Sequence, residues 1–80
     1  RAWSLRFDQF ADKPQSLSLR GAELAGVYLA LWAHEDSLDG YQRSALEGIR
    51  ALLYENFSIE EMEGIEQSYK HRLAYPSAGR

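Results

Sequence analysis

The chain contains no cysteine, which excludes disulfides and thiolate-bound zinc as supports for its fold. Proline occurs only at Pro14 and Pro76, where it supplies turn chemistry and a helix stop. Positive charge is also scarce. The net charge of −3 argues against a nucleic-acid-binding domain with a generally basic surface. The longest nearly uncharged apolar run, Ala22–Ala33, has twelve residues, short of the ~20 that span a bilayer. The glycines are scattered and form no phosphate-binding loop, and no segment is repeated or of low complexity. The chain opens on Arg1 and not Met, so it is expected to continue a longer polypeptide. The residues after Arg1 alternate and do not form the apolar stretch of a secretory leader. A cytoplasmic setting is therefore expected.

What remains is the composition of a small globular domain. Hydrophobic residues make up 45% of 80 positions, enough for one core and too many for a disordered chain. A core of this size supplies only ~3–5 kcal/mol unaided. Without cysteine, oligomerisation is the common remaining source of help.

The run AELAGVYLALWA, Ala22–Ala33, organises the rest. At helical spacing Leu24, Val27, Tyr28, Leu31 and Trp32 share one broad face. Ala22, Gly26, Ala30 and Ala33, with Leu29 at the edge, form a small opposite face. A helix apolar nearly all round needs cover on both sides, so this is the expected central helix, from about Gly21 to Asp36. Glu23 suits its first turn, whereas Glu35 and Asp36 oppose the helix dipole at its end.

Before it, Trp3, Leu5 and Phe7 alternate with Ser4, Arg6 and Asp8, and Leu17 and Leu19 alternate with Ser16, Ser18 and Arg20. That period of two, around a turn at Asp12–Gln15, predicts a β-hairpin over 2–20. The competing pattern is a helical turn over Phe7–Ala11. After the central helix, Asp39 and Gln42 have capping-box spacing. They open a second helix to about Asn56, with Ala45, Leu46, Ile49, Leu52 and Leu53 on one face. Ser58 and Glu61 form another box, flanked by the staple positions Phe57 and Met62. Met62, Ile65, Tyr69 and Leu73 give the third helix a narrow stripe, and Tyr75-Pro76 ends it. The predicted fold is mainly α within an α+β frame: one domain with an N-terminal β-hairpin (2–20), three bundled helices (21–75) and a frayed tail (76–80).

No reaction is signalled. Placing Gly40 at the sixth position of an EF-hand loop makes Glu35, Ser37 and Asp39 ligands, but the twelfth position is then Leu46 and Glu47 misses by one. A solvated turn whose Asp39 caps a helix is the simpler account. His34 and His71 stand on different helices with no nucleophile motif beside either. No catalytic residue, metal or cofactor is expected. A basic N-terminal segment followed by helices loosely resembles the order of ribbon-helix-helix regulators, where paired strands enter the major groove. Arg1, Arg6 and Arg20 would then make the contacts, although Trp3, Leu5 and Phe7 call for burial and a third helix is left over.

The feature with most consequence is the small-residue ridge at Ala22, Gly26 and Ala30, with Leu29 and Ala33 beside it. Spacing by four lets a second backbone approach closely. That backbone belongs either to a downstream helix of the same chain or to a second copy. The expected function is a non-catalytic protein-interaction or regulatory module acting as a homodimer. Its partners are a second copy and possibly another protein. The alternative is a nucleic-acid-binding transcriptional regulator using the N-terminal arm.

Overall fold

Ser4 decides the first element. Its hydroxyl oxygen accepts the Phe7 N–H at 3.3 Å, and its carbonyl accepts the Asp8 N–H at 3.1 Å. Those bonds start a helix, α1 (Leu5–Ala11), with Asp8 in its first turn. Phe7 and Phe10, three apart, come together on it with ring centroids 6.4 Å apart. The structure, a computed structural model, describes residues 4–75.

The expected β-hairpin over 2–20 is therefore corrected. Among the described residues there is no strand, and the fold is helical throughout. The alternation at Leu5 and Phe7 covers too few residues to outweigh a cap at Ser4 and an aromatic pair at helical spacing. With its first half coiled into α1, the Leu17–Leu19 segment has no strand to pair with, and it leads into the next helix without regular structure. Trp3 lies outside the described residues, as does the tail placed at 76–80.

The rest follows the capping signals closely. Helix α2 covers Gly21–Ala33, with Arg20 before it donating its N–H to Glu23 Oε1 at 2.8 Å. It stops three residues earlier than expected, at His34, and a 3-10 turn follows over Glu35–Ser37. Helix α3 covers Gly40–Asn56. Its box is reciprocal: Gln42 N–H donates to Asp39 Oδ1 at 2.8 Å, and Asp39 N–H donates to Gln42 Oε1 at 3.0 Å. Ser58 and Glu61 repeat the arrangement at 3.1 and 2.8 Å and open α4, Ile59–Glu63. The expected third helix is broken at Gly64, whose N–H turns back to the Glu61 carbonyl at 3.2 Å. It resumes as α5, Ile65–Ala74. Glycine is a poor helix former, and the break falls where the chain loses least by it.

Helix α2 packs against both α3 and α5, as a two-faced helix must. The core is Tyr28, Leu46, Leu53, Met62 and Ile65, lined by Leu24, Ala25, Leu29, Leu31, Leu38 and Ile49. Leu46 alone is fully enclosed, at 0% exposure. Burying one such leucine stabilises by ~1.5–3 kcal/mol. Helix α1 contributes no buried residue. The radius of gyration, 15.6 Å, exceeds the ~12 Å expected for a compact chain of this length, and the longest dimension is 47 Å. No helix among the described residues is long and apolar enough to cross a membrane.

Candidate functional site

The small-residue ridge meets α5. An added Cβ on Gly26 would lie 2.6 Å from the Tyr69 hydroxyl and 3.1 Å from the ring carbon that bears it. The close approach that glycine permits is thus used at that position by a side chain of the same molecule. Ala22 lies in a shallow depression with Tyr69, Arg72 and Leu73. Leu29 and Ala33 line another with Trp32 and Glu66. Leu29 is half-buried, whereas Ala22, Ala30 and Ala33 are exposed. The ridge is covered at its centre and open at its ends.

A larger concavity lies elsewhere. The stripe Met62, Ile65, Tyr69, Leu73 leaves the core as it proceeds: Met62 and Ile65 are buried, Tyr69 is half-buried and Leu73 is 65% exposed. Ile65 and Arg72 of α5 face the start of α2 and the end of α3. A groove of about 680 Å³ opens between them. Leu24, Ala25, Leu52, Leu53, Phe57 and Ile65 line it with apolar surface, and Arg20 and Arg72 also border it. Neither arginine takes part in an ion pair among the described residues. A mostly apolar cleft with a few charged groups is the usual form of a recognition site. No local pattern marks it, because Leu52 and Phe57 read as one helix's core face and another's staple, and both are left exposed.

Arg50, on α3, is half-buried. Its guanidinium carbon lies 5.9 Å from the centre of the buried Tyr28 ring, a cation–π distance. It also meets Glu47 at 3.1 Å and Glu35 at 3.9 Å. Its approach to the Tyr28 phenol, opposed by desolvation and assisted by Glu47 and Glu35, holds its pKa above the ordinary arginine value. This contact explains the acidic end of the central helix. Glu35 does not oppose the dipole of α2; it lies beyond it, accepting from Arg43 through its carbonyl at 2.9 Å and facing Arg43 and Arg50 with its carboxylate. Such part-exposed pairs contribute little individually. They link the turn after α2 to α3.

The other candidates stand apart. Asp39 is engaged as a cap and Glu35 by two arginines, and no three His, Asp or Glu side chains among the described residues are placed to share a metal ion. His34 closes α2, while His71 lies in the last turn of α5 against Tyr75, ring centroids 4.9 Å apart. Of the three arginines expected on a DNA-binding arm, Arg6 is exposed on α1 and Arg20 precedes α2. Arg1 lies outside the described residues. The paired strands that would present them are absent among the described residues, since that region holds α1 and unpaired chain.

No family model, curated protein or solved structure matches this chain. The groove and the uncovered aromatic residues must speak for themselves.

Proposed function

We propose that the chain is a non-catalytic protein-interaction or regulatory module that acts as a homodimer. The observation that carries this is the imbalance between its inside and its outside. Five hydrophobic residues are buried, whereas fourteen large ones are exposed among the described residues. Scattered apolar residues on a surface are ordinary, but continuous stretches mark binding sites. Leu5, Phe7, Phe10, Leu17 and Leu19 lie on α1 and the segment after it, and Leu52 and Phe57 line the groove. A core this small gains from association, and nothing covalent substitutes for it in a cysteine-free chain.

Sedimentation equilibrium from sub-micromolar to high micromolar concentration tests the proposal. The expected species is twice the 9.2 kDa chain mass at the upper end, dissociating on dilution. A 9.2 kDa particle at every concentration would exclude the homodimer.

A further inference from the structure

We infer that the groove between α2, α3 and α5 is a ligand site for a straight-chain carboxylic acid. The acyl chain lies along the apolar lining, and the carboxylate meets Arg20 and Arg72. The site is contained in one chain and does not depend on the homodimer.

The charges give the first reason. The sequence has 12 Asp and Glu for 9 Lys and Arg, so no base lacks a partner for want of acids. Arg43 and Arg50 meet Glu35, and Lys70 meets Glu66 at 3.0 Å. Within residues 20–75, the Lys and Arg side chains left without an ion pair are Arg20 and Arg72. Both border this groove. The acid beside them, Glu23, accepts the Arg20 N–H at 2.8 Å and shares a shallow depression with Arg72. Its charge favours a ligand with one negative charge over one with two. A guanidinium recognises a carboxylate by parallel charge-assisted hydrogen bonds.

The layout gives the second. Ala22 borders both the groove and the depression that holds Arg72, so the two arginines stand together at the first turn of α2. Ile65 lines the groove about two turns before Arg72 on α5, roughly 10 Å along the axis. Leu53 and Ile65 are buried beneath, and Leu52 and Phe57 are exposed beside them. Asn56, the remaining polar side chain of the lining, donates its amide to the Leu52 carbonyl at 2.9 Å. The groove is thus charged at one end and apolar along its length. Its volume of about 680 Å³ falls within the ~300–1,000 Å³ of small-molecule sites.

A polypeptide suits it less well. An extended peptide pairs its main chain with a sheet edge, and no strand exists among the described residues. A helical one is ~10–12 Å across and would rest on Leu52 and Phe57 without reaching the buried Leu53 and Ile65. An acyl chain needs no hydrogen-bond partner along its length and is thin enough to reach both.

Calorimetric titration of dilute full-length protein with hexanoate, octanoate and decanoate, each below its micellar concentration, tests the inference. A fully buried methylene strengthens binding about fourfold, so this open groove should gain at least about fourfold per two-carbon step. Decanol should bind about tenfold more weakly than decanoate, for want of the charged hydrogen bonds. Arg20→Gln and Arg72→Gln, both at exposed positions, should each weaken decanoate at least about fivefold with the parent's circular dichroism intact. Amide NMR shifts on adding decanoate should centre on Leu24, Leu53 and Asn56. Absence of decanoate binding at millimolar concentration overturns the site. So does equal affinity for decanol, indifference to both arginine substitutions, or shifts centred on Phe7 and Phe10. None of these readings bears on the sedimentation test, so the site and the homodimer stand or fall separately.

Discussion

Helices α1 and α3 both begin on a side chain that caps an amide three residues on. Ser4 takes the Phe7 N–H at 3.3 Å, and Asp39 takes that of Gln42 at 2.8 Å. The two helices then fare differently. Helix α3 buries Leu46 and Leu53, whereas α1 buries nothing. A cap selects where a helix starts, and it contributes only ~1 kcal/mol. Persistence comes from the face that packs, and the face of α1 has no partner within its own chain. The arm is a locally well-specified element waiting on tertiary contact, and the bundle is one that has found it.

This contrast can be broken at its strongest point first. Leu46→Ala should remove ~2–5 kcal/mol, most or all of the stability available to so small a core. Leu17→Ala, at a position 81% exposed, should leave the urea midpoint of dilute protein within ~0.5 kcal/mol of the parent. Equal shifts at the two positions would mean that the core has been drawn around the wrong residues.

A smaller effect separates the glycines. Gly26→Leu must displace the Tyr69 ring and should cost ~1–3 kcal/mol by overpacking. Gly48 sits inside α3 with nothing within 4 Å of an added Cβ. Gly48→Ala should therefore raise the thermal midpoint, gaining ~0.5–1 kcal/mol from helix propensity alone. A destabilised Gly48→Ala protein would reveal a neighbour at a face open in the single chain.

The caps supply the smallest and most discriminating comparison. Asp39→Ala and Ser58→Ala should each cost ~1 kcal/mol in urea denaturation, since both helices they open hold core residues. Ser4→Ala should lose a little helical circular dichroism and hardly move the midpoint of the dilute protein. A cost at Ser4 matching those at Asp39 and Ser58 under dilute conditions would show that α1 unfolds together with the bundle.

The same contrast explains what was legible in the sequence. The boxes at Asp39 and Ser58 were readable because each is a reciprocal bond between residues three apart, and both stand where their spacing placed them. The faces of the central helix were readable only in part: Tyr28 is buried and Leu24 and Leu31 are half-buried, whereas Val27 and Trp32 on the same face are exposed. Leu5 and Phe7 misled because a few residues satisfy period two and a helical aromatic pair equally well. Gly64 lay inside a stripe that continued on both sides, so the break was invisible to periodicity. Arg50 and the groove depend on how helices lean against each other. The buried ring of Tyr28, which draws Arg50 inward, lies on another element. The groove is lined by residues of three helices, which no local pattern records. The ridge at Gly26 was legible as a place of close approach, and Tyr69 is what approaches it.

The placement of Arg72 has a consequence for the order in which the molecule is made. The arm carrying Phe7 and Phe10 is synthesised early, yet the groove is complete only when the second half of α5 has been added. At ~5–20 residues per second, the aromatic segment of a growing chain is made several seconds before the groove is complete. The short connection between α2 and α3 lets that pair form during the interval, because closing a short loop costs little entropy. Each nascent chain would then hold a partly built core and an exposed aromatic segment.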